Sequence, residues 1–263
     1  MLENKMSEYL NQLKKVEDVY FHEADLITAD FETNYLQVRQ AESRILSDKE
    51  VAGLPLLKNN QHSKEWDKRA RSALRLQKYF TSVPYGSLLD LGCGNGWFTA
   101  LLAKNKNLEI VGMDVNLSEL KQAARIFQYT NLSFVFSDIF KIQFPENSFD
   151  YITLNASIQY FEDLKLLMNR LIYLLKPNGE IHIIDSPFYD ENEIADAKKR
   201  TIEHYTKLGF PEMSHSYFHH SWSEISKWNI EVLYQKKHQN VLSRIIRKPD
   251  MPFPWIKIKD ANG

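Results

Sequence analysis

The residues best placed to do chemistry in this chain are a knot of glycines and three carboxylates. Only nine glycines occur in 263 residues, and four of them are Gly86, Gly92, Gly94 and Gly96. They lie where an apolar run, Ser87 to Leu91, gives way to a helix-forming run from Trp97 to Lys104. A glycine turn there brings backbone close to a ligand without Cβ interference and aims free helix amides at it. Asp90, two positions before Gly92, suits a cationic ligand better than an anionic pyrophosphate, and Trp97 stands where a dinucleotide fingerprint wants a small residue. Asp114 ends the next apolar run, Glu109 to Asp114, at the position where a carboxylate can accept both ribose hydroxyls. Asp138, in Ser137-Asp138-Ile139, follows the third run and can accept an adenine amino group.

Short apolar strands must alternate with helices to set three carboxylates at three successive strand ends. The pattern predicts strands over 87–91, 109–114, 132–136, 151–154 and 181–185, with helices over 97–104, 118–129 and 164–175. Strands joined by helices predict a doubly wound, mainly parallel α/β sheet, and their unbroken apolar character predicts helices on both faces. Ser63 is predicted to cap a helix reaching Phe80. Beyond Asp185 the pattern predicts a helix over 192–207, closed by Gly209 and Pro211, and two further strands near 216–219 and 230–234. Together these make seven strands. The proline-punctuated stretch from Pro249 to Trp255 is predicted to be extended and to pack on the body. Residues from Ser7 to about Asn60 show mixed three and four spacing of apolar positions, which predicts amphipathic helices and no strand. With a turn-rich boundary at Gly53, Pro55 and Lys58-Asn59-Asn60-Gln61, the expected organisation is an N-terminal helical extension or lid over 1–60 and a main domain over 61–263.

Taken together, Leu88-Leu89-Asp90-Leu91-Gly92-Cys93-Gly94-Asn95-Gly96, Asp114, Asp138, Phe149-Asp150-Tyr151-Ile152 and Leu174-Leu175-Lys176-Pro177-Asn178-Gly179-Glu180 resemble the class I S-adenosylmethionine-dependent methyltransferase family. The resemblance covers residues 88 to 185. It implies a Rossmann-like methyltransferase fold and S-adenosylmethionine as cofactor, with Asp90, Gly92, Gly94 and Gly96 around its methionine part. It further implies Asp114 at the ribose, Asp138 and the Ile139 backbone at adenine, and Asn155 beside the sulfonium. The segment after the fourth strand, Asn155 to Phe161, touches cofactor and substrate in this family, so Gln159 and Tyr160 are candidate substrate residues. It lacks the Asn-Pro-Pro-Tyr type motif of many nucleic-acid amino-methylating enzymes, which argues against DNA.

Methyl transfer to oxygen or nitrogen needs an aligned nucleophile and, for oxygen, often a base. Among the eight histidines, His219 and His220, in a segment that also holds His215, are the candidates for that base. Lysine plus arginine, 33, nearly cancels aspartate plus glutamate, 34, so no global positive field exists to hold a nucleic-acid backbone. A small-molecule substrate is therefore expected, with an RNA or protein substrate, or a noncatalytic module that binds S-adenosylmethionine, as alternatives. The single cysteine, Cys93, excludes an intrachain disulfide and leaves no cysteine metal site, and no metal is expected. With no signal-like N-terminus and no run near the ~18 apolar residues of a membrane span, a cytoplasmic protein with no membrane partner is expected.

Overall fold

The computed structural model describes residues 5–22, 29–57, 60–236 and 250–259. In chain order the elements are α1 (Lys5–Leu10), β1 (Lys14–Val16), β2 (Val19–Phe21), α2 (Ala29–Ala41), α3 (Asp48–Ala52), α4 (Ser63–Phe80), β3 (Gly86–Leu91), α5 (Trp97–Leu102), β4 (Leu108–Asp114), α6 (Leu117–Ile126), β5 (Leu132–Phe136) and β6 (Phe149–Asn155). There follow α7 (Leu164–Leu174), β7 (Leu175–Ile184), α8 (Ile194–Leu208), α9 (Trp222–Ile225), β8 (Ile230–Tyr234) and β9 (Trp255–Lys259). They form a doubly wound α/β structure around one sheet of nine strands ordered β1-β2-β5-β4-β3-β6-β7-β9-β8.

The five predicted central strands are all present and parallel, as β5-β4-β3-β6-β7. Every residue of β3 is buried, and its alternating side chains feed two layers. Leu88 packs on one face with Leu76 and Phe80 of α4 and Phe98 and Leu102 of α5. Leu89 packs on the other with Leu167, Met168 and Leu171 of α7. Helices cover both faces because neither side of these strands carries enough polar surface to meet water.

Nine strands stand where seven were expected, and the differences lie at the two edges. Residues 14–21, predicted helical, form a hairpin whose β2 pairs parallel with β5 through Val19↔Phe134 and Phe21↔Phe136. Its two-residue turn is Glu17-Asp18, both at positive φ (50° and 61°), the geometry that asparagine and glycine normally advertise and that neither residue does. At the opposite edge no strand forms over 216–219. Pro211–Ser216 is a 3-10 turn, and the following loop is tied down by the Phe218 N–H donating to the Gln159 carbonyl at 2.7 Å. The proline-punctuated tail instead supplies β9, which inserts antiparallel between β7 and β8.

Described residues within 1–60 pack into the body. Val19 and Val51 are fully buried, and Leu46 and Leu57 pack with Trp66 and Trp97. Lys58 and Asn59 of the expected boundary lie outside the described residues. Ser63 opens α4, but the capping position is His62, which makes no side-chain cap.

Candidate functional site

The glycine turn sits at the carboxyl end of β3, and the sheet order reverses between β3 and β6, the place where open α/β sheets leave a crevice. The turn is pinned to the end of β4. The Gly92 and Cys93 N–H groups donate to the Met113 carbonyl at 2.8 and 3.1 Å, and the Gly94 N–H donates to Asp114 Oδ2 at 2.7 Å. Asp114 Oδ1 accepts from the Asn116 N–H at 2.9 Å, so backbone amides fix the carboxylate before any ligand arrives. Gly92 (φ 77°) and Gly96 (φ 71°) are both required in the left-handed region. A Cβ at Gly92 would lie 2.4 Å from the Ser157 Cβ, and one at Gly96 2.7 Å from the Ala123 Cβ and 2.9 Å from the Phe134 ring.

Two cavities meet over this turn, sharing Tyr35, Gly92, Gly94, Ala156 and Tyr160. One, of about 380 Å³, contains Asp114, Asp138, Ile139 and Phe140, with Glu162 as a third carboxylate, beside an apolar wall. Asp138 Oδ1 accepts from the Phe140 N–H at 2.9 Å. The other, of about 440 Å³, contains Asn155, Gln159 and Asp185 together with Arg39, Glu119 and several tyrosines. Gln159 is anchored by its own amide, which donates to the Ala156 carbonyl at 2.5 Å.

Of the residues expected at the ligand, Gly92, Gly94, Asp114, Asp138, Ile139, Asn155, Gln159 and Tyr160 are brought to these two cavities. Asp90 and Gly96 are not. Asp90 is 1% exposed and lines neither cavity. It accepts from the Thr99 and Thr153 hydroxyls at 2.6 and 2.8 Å, which makes it an internal tie between β3, α5 and β6. Burial raises its pKa to about 6, against the pull of the two hydroxyls. Gly96 is required for packing against α6 and β5.

The two candidate histidines lie outside both linings. His219 contacts the rings of Tyr189 and Tyr217 and pairs through Nε2 with the Thr201 hydroxyl at 2.9 Å. His220, 4% exposed, has Nε2 3.3 Å from the Ile158 carbonyl. Burial lowers both pKa values. Among the described residues no cluster of three or more His, Cys, Asp or Glu could hold a metal, and no helix is long and apolar enough to cross a membrane.

Among the cavity residues outside the candidate set are Asp185, Arg39 and Glu119. Asp185 registered only as the end of a strand, Arg39 only as part of the helical lid expected over 1–60, and Glu119 only as part of the helix over 118–129. Asp185 is 4% exposed, and the Ser72 hydroxyl of α4 donates to its Oδ1 at 2.5 Å, while Oδ2 has no partner. Burial raises its pKa to about 6, opposed by Ser72 and the charges of Arg69 and Arg75. Arg39 lies 3.8 Å from Glu119, with its buried Nε unpartnered.

Residues 84–243 match a family described as a methyltransferase domain. Phosphoethanolamine N-methyltransferase 3 of Arabidopsis thaliana is 31% identical over 104 residues, covering 39% of this chain and 21% of that protein. Trans-aconitate 2-methyltransferase of Deinococcus radiodurans is 33% identical over 125 residues, covering 47% of each. The matched stretch thus spans about half or less of these curated relatives. The crystal structure of the YcgJ protein of Bacillus subtilis superposes with a TM-score of 0.57 at 16% identity, over 74% of this chain and all of that one, which is a likeness of fold.

Proposed function

This chain belongs to the methyltransferase-domain family, and from that premise we propose that it is an S-adenosylmethionine-dependent methyltransferase acting on nitrogen or oxygen of a small molecule. The observation that carries the reading is the pair of cavities meeting at Gly92, Gly94 and Tyr160, one with the Asp114 and Asp138 carboxylates and one open to a second reactant.

The residues present fit the cofactor. Asp114 has both oxygens oriented by backbone amides and would take the ribose hydroxyls, and Asp138 with the Ile139 backbone would take adenine against an apolar wall. Gly92 and Gly94 would lie along the methionine part. The buried, unpartnered Nε of Arg39 suits its carboxylate, a bond of the stronger, charge-assisted kind. When bound, the cofactor supplies an electrophilic methyl group on a sulfonium, ready for in-line displacement.

The chain's own part is alignment and exclusion of water. Tyr35 and Tyr160 wall both cavities and would close the passage between them around the reacting groups. Asn155 and Gln159 line the larger cavity, which we assign to the acceptor. The near-zero net charge supports a small acceptor over a nucleic acid.

Calorimetric titration with S-adenosylmethionine, S-adenosylhomocysteine and NAD tests the reading. Binding of the first two and not the third is expected; binding of NAD alone would overturn it.

A further inference from the structure

Strands β6 and β7 are hydrogen-bonded neighbours, with Asn155 in register with Ile184, so Asp185 follows directly beside Asn155 at the crevice. The Ala156 N–H donates to the Ile184 carbonyl at 2.9 Å, locking the two strand ends together. Both chains then turn through left-handed conformations at residues that are not glycine, Ala156 and Asp185, each at φ 54°. Backbone held in that region is disfavoured for L side chains and concentrates where a site requires it.

What this junction presents is unusual. Asn155 Oδ1 and Asp185 Oδ2 are both buried, both without a hydrogen-bond partner, and both belong to residues lining the 440 Å³ cavity. A desolvated acceptor with nothing to accept from is unfavourable, and a ligand that brings N–H or O–H groups relieves it. A carboxylate placed there would meet two more acceptors and be repelled.

The surroundings narrow the donor further. Tyr160, Tyr189, Tyr205 and Tyr217 also line the cavity, and burial raises all four phenol pKa values, so they remain neutral and offer aromatic faces to a cation. Of the four arginines that line the cavity, three face carboxylates and Arg200 is the fourth. Arg44 and Arg69 both donate to Glu65, at 2.6 and 3.0 Å, and Arg39 sits toward Glu119.

Resting on the methyltransferase reading, we propose that the acceptor is an amine, bound as its ammonium by Asp185 Oδ2 and Asn155 Oδ1, with Asp185 as the group that removes its proton. In that step an N–H bond breaks, its electron pair stays on nitrogen as the nucleophilic lone pair, and an O–H bond forms on Asp185. Charge balances, since ammonium plus carboxylate become amine plus carboxylic acid. A carboxyl group whose pKa lies near neutrality rather than in the usual carboxylate range is a competent partner for that exchange.

The test is equilibrium binding to protein saturated with S-adenosylhomocysteine. The probes are a panel of small primary and secondary amines, phosphoethanolamine first, each beside the alcohol and the carboxylate of the same skeleton. Amines are expected to bind at least about tenfold more tightly than their counterparts, because only they satisfy both acceptors and the charge. Asp185→Asn should weaken amine binding by about tenfold or more while leaving S-adenosylhomocysteine affinity unchanged. Three results overturn the proposal: no amine binds the loaded protein, alcohols or carboxylates bind as well as amines, or Asp185→Asn leaves amine affinity intact. Should that variant fail to fold, the wild-type comparison of amine with alcohol and carboxylate decides alone. A wild-type protein that binds neither S-adenosyl compound fails at the earlier step, and the amine site falls with the methyltransferase reading.

Discussion

The ring of Tyr35, on α2, stands edge-on to that of Tyr160, just beyond β6, with 6.1 Å between centroids and 83° between planes. This contact joins the N-terminal region to the crevice at the one wall the two cavities share along with Gly92, Gly94 and Ala156. Its consequence is that the N-terminal residues act on the site through particular side chains. Removing all of residues 1–60 would take away two strands and buried Val19 and Val51, and would test the fold more than any closure.

Tyr35→Ala is therefore the sharper experiment. Losing an edge-to-face pair of about 0.5–1.5 kcal/mol is expected to speed release of S-adenosylhomocysteine by roughly twofold to tenfold. Tyr35→Phe, which keeps the ring, should release it at close to the wild-type rate. Stopped-flow displacement reads both, and a wild-type rate in the alanine variant would remove Tyr35 from cofactor retention.

Asp114→Ala is expected to weaken S-adenosylmethionine binding by about 1–3 kcal/mol, through lost hydrogen bonds to a charged group and through release of the Gly94 and Asn116 amides it holds. Asp114→Asn should lose less, because one oxygen remains to hold an amide. Calorimetry distinguishes the two, and unchanged affinity in the alanine variant would exclude the ribose assignment.

Gly96→Ala and Gly92→Ala should both lower thermal stability, since each combines a positive φ with a Cβ closer than 3.0 Å to a neighbour. A cost of roughly 1–3 kcal/mol for the backbone alone is expected at each. They should differ in ligand response. Gly92 lines both cavities and Gly96 neither, so only the Gly92 variant should also lose cofactor affinity after its stability loss is allowed for.

Asp185 predicts a stability difference with a definite sign. Its folded pKa of about 6 lies above the ordinary 3.8, so the folded state holds the proton more tightly than the unfolded state. The stability that proton supports is present in full below about pH 4 and is lost as pH rises through about 6. Asp185→Asn cannot ionise, and its remaining oxygen can still accept from Ser72. The variant should therefore gain on the wild type between about pH 4 and 6 and level off above, at a difference on the order of 3 kcal/mol. Denaturant unfolding across that range measures it. A difference independent of pH would mean that the Asp185 carboxyl keeps an ordinary pKa.

Much of this was written in local pattern. The five central strands are short apolar runs separated by amphipathic helices, and a carboxylate at the end of a run emerges at the crevice whatever the neighbours are. That is why Asp114 and Asp138 were legible in the sequence. Asp90 looked alike in type but stands inside a strand whose every residue is buried, so its direction depended on which face the pleat gave it. The hairpin at 14–21 went unseen because each strand has three residues and β2 finds its partner in β5, more than a hundred residues later.

By itself, then, the sequence determined the alternating α/β framework, the glycine turn and the carboxylates that close β4 and β5, since each follows from residue types within a few positions of one another. Only the tertiary structure decided which carboxylates face a cavity. Threonines from α5 and β6 fold over Asp90 and consume both its oxygens. Ser72, 113 residues before Asp185, consumes one oxygen there and leaves the other bare beside Asn155. A hydrogen-bond partner supplied from another element is a matter of packing, and no spacing within the strand can announce it.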